Sequence, residues 1–101
     1  MIIRNENRCP THPGALLRED ILPEVNKTKT EIAQSIGISR QQLYDIITEK
    51  KPISAEVAVR LAKFFNTTPL FWVNMQSAFD TWNAQQTVDV SNIPVLGIAS
   101  S

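Results

Sequence analysis

The sequence predicts an all-α fold of five helices, followed by a C-terminal tail that is either extended or disordered. Apolar residues recur at helical spacing through the middle of the chain, and a Ser or Thr suited to capping precedes each of the last four helices. Polar and apolar residues do not alternate with a period of two before residue 86, so no strand is predicted there. At 101 residues the chain is long enough for one domain. We expect an N-terminal arm at residues 1–11, the domain at 12–85 and the tail at 86–101.

The first helix is expected to run from Pro13 to about Ile21. Proline suits the first helical position, where its missing N–H costs nothing. Pro23 is expected to end the helix, because the residue before a proline is disfavoured in the α region. His12, which stands just before this helix, is expected to cap it or to pack against it.

The second and third helices are predicted from two capping boxes, in which a Ser or Thr and a Glu or Gln three residues later satisfy each other's backbone N–H groups. One box spans residues 28–31 and the other spans residues 39–42. The second helix is expected to end at Ile36, because Gly37 can adopt the positive φ of a helix C-terminus. The third helix is expected to end at about Thr48.

The last two helices follow from the same kind of signal. Ser54 is expected to cap a fourth helix from Ala55 to Phe65, whose apolar residues form one wide face. Thr68 and a proline at position 69 start a fifth helix that is expected to reach about Gln85. The rest of the chain holds a single charge, and it is either disordered or a short extended segment that pairs with something else.

Two short helices joined by a turn of about three residues predict a helix-turn-helix. Ala33 stands where the second and third helices must cross closely, and Gly37 supplies the turn. The wedge between the two helices is filled by Ile38, Leu43 and Ile46. The alternative is an ordinary corner between two helices of a small bundle.

Residues 30–43, TEIAQSIGISRQQL, resemble the helix-turn-helix of the phage repressors, the XRE (Cro/C1-like) family. The flanking sequences HPG at residues 12–14, LRE at 17–19, IS at 53–54, RLA at 60–62 and PLFWVNMQ at 69–76, together with Trp82, resemble the HigA/VapI antitoxins. The likeness covers about residues 12–83. It implies a lambda repressor-like DNA-binding domain that binds operator DNA and represses its own operon. It also implies a partner, a HigB-like (RelE-like) mRNA-cleaving toxin, which the antitoxin neutralises by binding.

The exposed face of the third helix is expected to contact base edges in the major groove. Leu43, Ile46 and Ile47 define its buried face, and a rotation of 100° per residue points four other side chains away from it. Arginine can pair with guanine, and glutamine can pair with adenine, through two hydrogen bonds. Aspartate can accept from cytosine N4, or it can orient a neighbouring side chain while repelling phosphate. The predicted base-contacting residues are Arg40, Gln41, Tyr44 and Asp45.

Contacts to the DNA backbone are expected from the start of the second helix, the cap of the third helix and the loop that follows it. Helix N-termini present amides and hydroxyls to phosphate. Residues 27–51 carry five basic and three acidic side chains, which makes this the one positive segment of a chain with zero formal net charge. The predicted backbone-contacting residues are Thr28, Lys29, Thr30, Ser39, Gln42, Lys50 and Lys51.

The fifth helix carries apolar residues around much of its circumference, more than a chain of this length needs for one small core. A two-fold dimer through this helix would cover them and would place two recognition helices on successive major grooves. The alternative is that all of these side chains belong to the protein's own core. The predicted dimer residues are Phe71, Trp72, Met75, Phe79 and Trp82.

Several classes of function are not expected. A lone Cys9 and a lone His12 cannot form an intrachain disulfide or supply the usual ligands of zinc, so we predict no metal and no cofactor. No catalytic motif is present, so an enzyme is not expected. The chain lacks an export signal and a long apolar run, and a cytoplasmic protein is expected. Two alternatives to an antitoxin stay open, a stand-alone XRE-family transcriptional repressor and a protein-interaction module that no longer binds DNA.

Overall fold

The computed structural model describes residues 8–97, and within them the chain is helical from Pro13 to Thr87 apart from short connections. Helix α1 (Pro13–Leu16) continues into a π-helical turn (Leu17–Ile21) and a 3-10 turn (Leu22–Glu24). The other helices are α2 (Lys29–Ile36), α3 (Arg40–Ile47), α4 (Ala55–Phe65) and α5 (Pro69–Thr87). The predicted all-α fold of five helices is confirmed.

The predicted caps account for where the helices begin. Thr28, Ser39, Ser54 and Thr68 each accept a hydrogen bond from the backbone N–H three residues further on. Both capping boxes are complete, because Glu31 and Gln42 each accept in return from the backbone N–H of the capping residue. Each box therefore satisfies two N–H groups that the helix leaves without an intrahelical partner.

The end of the first helical segment differs from the prediction. Leu22 keeps right-handed helical angles, with φ −61° and ψ −36°, and the backbone stays helical to Glu24 rather than ending before Pro23. Pro23 falls in the first turn of the 3-10 segment, where a missing N–H breaks no hydrogen bond. Leu17 and Leu22 are both buried in the core, and their packing offsets the unfavourable conformation of a residue before proline.

One apolar core joins all five helices. Its fully buried side chains come from the π turn, α2, α3, α4 and α5, and they include Leu17, Ile32, Leu43, Leu61 and Trp72. The first helical segment packs against α3 and α5, while α2 packs against α3 and α4. The core therefore holds α3 from one side only, and its other side faces outward.

The ends of the chain follow the prediction in part. Helix α5 runs two residues beyond the predicted end, and residues 88–97 form an exposed, extended segment with one turn near Ser91. Most of the predicted arm, residues 1–7, and the last four residues of the tail lie outside the described residues. None of the helices between residues 8 and 97 combines the length and the apolar character needed to cross a membrane.

Candidate nucleic-acid interface

Helices α2 and α3 are joined by a turn that Gly37 makes possible. Gly37 has φ +79°, in the left-handed region, and its N–H donates to the carbonyl of Ala33. The N–H of Ile38 donates to the same carbonyl, so the end of α2 is capped by the turn itself. Ala33 and Ile38 are buried between the helices, and Ser39 starts α3 at once. This arrangement directs the face of α3 opposite the core toward solvent.

The four predicted base-contacting residues lie together on this outward face. Arg40, Gln41 and Tyr44 are exposed, and the side chain of Asp45 is 15% exposed. Arg40, Gln41 and Tyr44 are therefore accessible, as a protein–DNA contact requires, whereas Asp45 is largely covered. With two neighbours they line a shallow, open concavity, the α3 surface, formed by Arg40, Gln41, Tyr44, Asp45, Thr48 and Lys50.

Side chains on the α3 surface are ordered by contacts with one another. The guanidinium of Arg40 lies 5.4 Å from the centroid of the Tyr44 ring, a cation–π distance. Hydrogen bonding to the Arg40 side chain lowers the pKa of the Tyr44 hydroxyl, and the positive charges of Arg40 and Lys29 lower it further. Nε2 of Gln41 donates to Oδ1 of Asp45 at 2.9 Å. Contacts of this kind favour the observed side-chain positions in the free protein, and side chains that are already positioned lose less entropy on binding.

The predicted backbone-contacting residues are all exposed, and Lys50 itself lines the α3 surface. The first intrahelical bond of α2 runs from Ile32 to Thr28, so the N–H groups of Lys29 and Thr30 project from the end of the helix. Ser39 and Gln42 form the cap of α3. The side-chain oxygen of Gln42 accepts from the Ser39 N–H, so the side-chain N–H groups of Gln42 can still donate to phosphate. Lys50 and Lys51 follow α3, and Nζ of Lys51 lies 3.7 Å from Oδ2 of Asp45.

Two arginines outside the predicted set hold the ends of the helix-turn-helix. Nη1 of Arg18 donates to the carbonyl of Ile47 at the end of α3, and Nη2 pairs with Glu49 at 3.2 Å. Nη1 of Arg60 donates to the carbonyl of Ile36 at the end of α2 at 3.1 Å. Cations at helix C-termini are favourable, because they satisfy carbonyls that lack an intrahelical partner. The donor and the carbonyl are 29 and 24 residues apart in sequence, so no local pattern predicts either contact.

The prediction that Trp72 lies in a dimer interface is wrong. Its side chain is 0% exposed in the single chain, and its Nε1 donates to the hydroxyl of Thr67 at 2.8 Å. The ring fills the space between α4 and α5, so it belongs to the core. Phe71 is 43% exposed, and the other three predicted dimer residues are partly exposed: Met75, Phe79 and Trp82.

The prediction that His12 caps the first helix or packs against it is confirmed. Its Nδ1 accepts from the N–H of Gly14 at 2.8 Å, and its ring packs edge-on against Phe79 with centroids 4.7 Å apart. Burial lowers the pKa of His12 from its ordinary value; Glu49 and Asp80 oppose this shift, and Arg18 adds to it. The neutral imidazole is therefore the form that fits the fold. No cluster of three or more potential metal ligands occurs within residues 8–97.

Comparison with protein families gives a match between residues 17–72 and the helix-turn-helix family. Virulence-associated protein I of Dichelobacter nodosus is 33% identical over 87% of this chain and 82% of its own length. Antitoxin HigA-1 of Vibrio cholerae is 30% identical over 82% of this chain and 78% of its own length. The segment matched by the family, residues 17–72, contains the whole helix-turn-helix and α4.

Several of the solved structures that this chain resembles contain DNA. Antitoxin GraA in complex with its operator superimposes with a TM-score of 0.83, at 31% identity, over 96% of this chain and 100% of that one. The Pseudomonas aeruginosa antitoxin HigA with the higBA promoter gives a TM-score of 0.75, at 31% identity, over 86% of this chain and 99% of that one. Both likenesses extend well beyond the helix-turn-helix.

Proposed function

The chain belongs to the helix-turn-helix family, with HigA-type antitoxins among its relatives, and on this premise we propose that it binds operator DNA as a dimer, represses its own operon and neutralises a protein toxin. The observation that carries DNA binding is the α3 surface, on which Arg40, Gln41 and Tyr44 stand exposed beside Lys50. A helix held by a core on one side, with arginine and glutamine on the other, is suited to the major groove.

The proposed division of roles follows position. Arg40, Gln41 and Tyr44 project from the first turns of α3, the part of a recognition helix that meets base edges. Lys50 and Lys51, which follow α3, and the N-terminus of α2 supply contacts to phosphates. Zero net charge makes the attraction for DNA local and modest in each protomer, which favours binding by two protomers at once.

Binding is tested by a titration of labelled DNA from the promoter of the chain's own operon, with fluorescence anisotropy as the readout. The wild type is expected to prefer this DNA over a scrambled duplex and to lose affinity steeply as salt rises. The double variant R40A/Q41A is expected to lose the preference, because each bidentate contact contributes about 1–3 kcal/mol of discrimination. K63A is the control, since Lys63 does not line the α3 surface. Operator preference that persists unchanged in R40A/Q41A would refute the proposed interface.

The proposed dimer uses the exposed part of α5. Phe71 and Met75 are one turn apart on this helix and leave apolar surface uncovered in the single chain. We expect light scattering to give twice the chain mass for the wild type and the chain mass for F71E/M75E. V59E is the control, because Val59 is 56% exposed on α4, outside the proposed interface. A dimer that survives in F71E/M75E places the interface elsewhere.

The proposal that this chain neutralises a toxin is supported by relatives that are named as antitoxins. The partner is expected to be a HigB-like nuclease that this chain inhibits by stoichiometric binding. Co-expression with the open reading frame beside this gene, followed by purification through a tag on one chain, is expected to yield a complex and to restore growth that the partner alone arrests. Failure of both would leave a stand-alone repressor as the function.

A further inference from the structure

The hydrogen bond between Gln41 and Asp45 fixes which way the Gln41 amide faces. The two residues lie one turn apart on α3, and Nε2 of Gln41 donates to Oδ1 of Asp45 at 2.9 Å. An ionised carboxylate only accepts hydrogen bonds, so the amide must turn its nitrogen toward it. The amide oxygen, Oε1, therefore faces away from Asp45. In an exposed glutamine without such a neighbour, both orientations of the amide are available.

Asp45 is itself held in place. Its side chain is 15% exposed, while the Lys51 side chain that contacts it is 69% exposed. Oδ2 lies 3.7 Å from Nζ of Lys51, and the Asp45 carbonyl accepts from the N–H groups of both Lys50 and Lys51. The carboxylate thus has one partner on each oxygen, and the loop after α3 folds back onto the same residue. Asp45 is better placed to hold Gln41 than to reach a base.

From this geometry we propose that Asp45 is a positioning residue that makes Gln41 select adenine over guanine. The inference rests on the proposed binding of DNA through the α3 surface. One N–H of Nε2 is used by Asp45, which leaves the other N–H to donate to adenine N7 and Oε1 to accept from adenine N6. Guanine presents two acceptors at these positions, so Oε1 would face guanine O6 without a proton between them. An amide free of Asp45 can direct both N–H groups of Nε2 at guanine N7 and O6, whereas Asp45 takes one of these N–H groups and favours the orientation that suits adenine.

The proposal is tested on duplexes that the wild type enriches from a randomised pool. The position read by Gln41 is the base pair whose preference disappears when the selection is repeated with Q41A. We expect an A·T pair there, and its replacement by G·C should weaken wild-type binding by about 5- to 150-fold, which corresponds to 1–3 kcal/mol. D45A should lose most of this discrimination, and D45N should lose part of it, because an Asn amide can donate to Oε1 as well as accept from Nε2. The double variant Q41A/D45A should lose no more than Q41A alone. Such non-additivity is the sign of two residues that act as one unit.

A merely structural role for Asp45 would give a different result, because a damaged fold weakens binding to every sequence alike. D45A is instead expected to bind scrambled DNA at least as tightly as the wild type, since the change removes a negative charge beside phosphates and releases Lys51. D45N keeps the size of the side chain and covers the case in which D45A folds poorly. The proposal is overturned if D45N and D45A keep the full preference for A·T, or if the pair read by Gln41 is G·C. A wild type that enriches no sequence overturns DNA recognition as a whole.

Discussion

At Gly14 the backbone of α1 approaches the backbone of α3 so closely that no side chain fits. A Cβ built on Gly14 would lie 1.9 Å from the carbonyl oxygen of Ile46 and 2.9 Å from its carbonyl carbon. These atoms are backbone, so they cannot move aside without shifting a helix. The sequence marks this glycine only as a neighbour of Pro13, and nothing local predicts a contact with a residue 32 positions away.

Gly14→Ala is therefore expected to destabilise the protein. Overpacking of this kind costs about 1–3 kcal/mol, and the change also displaces α3. Urea denaturation, monitored by circular dichroism, measures the change in the free energy of unfolding. Gly97→Ala is the matched control, because a Cβ at Gly97 meets nothing within 4 Å. Equal stabilities for the two variants would contradict the close approach of α1 and α3.

His12 predicts a pH dependence of stability at the same scale. Burial lowers its pKa in the fold, while unfolded His12 keeps a pKa of about 6.5. The unfolded state then takes up a proton first as the pH falls. Stability is therefore complete above pH of about 6.5 and is lost as the pH falls below that value toward the lower pKa of the folded state.

His12→Asn removes the titrating ring and keeps a side-chain acceptor suited to an N-cap. We expect the free energy of unfolding of the wild type to fall between pH 7 and about pH 5.5, and that of H12N to change less over the same range. Glu49, Asp80 and Arg18, which influence the pKa of His12, are present in both proteins. Parallel pH profiles for the two proteins would show that His12 is not the group responsible.

At the scale of elements, the helices were predictable because their signals are local. Each of α2 to α5 begins at a capping residue that satisfies its N–H groups within three residues, and Gly37 ends α2 as its freedom of φ allows. The first segment was predicted less well. Pro23 alone favours a stop, whereas burial of Leu22 in the core outweighs that local preference.

Helix α5 is joined to the loop before α4 through Gln76, a buried amide that is 5% exposed. Its Oε1 accepts from the N–H of Ile53 at 2.8 Å, and its Nε2 donates to Oδ1 of Asp80 at 2.9 Å. In Gln76→Leu the N–H of Ile53 loses its partner inside the protein. A buried donor left without a partner costs about 1–3 kcal/mol, and we expect a loss of stability in this range.

Thermal and urea unfolding of Q76L and Q85L test this connection. Gln85 lies on the same helix and is exposed, so Q85L makes the same chemical change without the buried hydrogen bonds. Its stability is expected to stay within about 0.5 kcal/mol of the wild type, as for other surface substitutions. If Q85L lowers the free energy of unfolding as much as Q76L does, the loss comes from placing a leucine on α5 and not from the contact with Ile53.

For the whole molecule, the position of the candidate interface was easier to predict from the sequence than the role of each residue. The periodicity of α3 is enough to divide Arg40, Gln41 and Tyr44 from the buried face. It leaves both roles predicted for Asp45 open, because the contact that holds Asp45 to Lys51 depends on the path of the loop after α3. Trp72 was misplaced for a related reason: a helix that is apolar on several sides does not reveal which side meets the protein's own core.

The proposed dimer also predicts how salt acts on binding. Each phosphate contact made by a lysine adds about 0.9 to the magnitude of the slope of log affinity against log salt concentration. Lys50 is exposed at the edge of the α3 surface, and two protomers on one operator would place two copies of it against phosphates. Lys50→Ala is therefore expected to reduce the slope by about 1.8 in a dimer but by about 0.9 in a monomer.

Anisotropy titrations of K50A, of the control K63A and of the wild type between about 50 and 200 mM salt measure these slopes over a range in which DNA affinities change strongly. K63A should match the wild type, because Lys63 lies outside the α3 surface. K50A should weaken binding to the operator and to scrambled DNA alike, since a phosphate contact carries no sequence information. A slope that is smaller by only about 0.9 in K50A would indicate that one protomer contacts the DNA. An unchanged slope would remove Lys50 from the interface and leave the phosphate contacts to Lys51 and the start of α2.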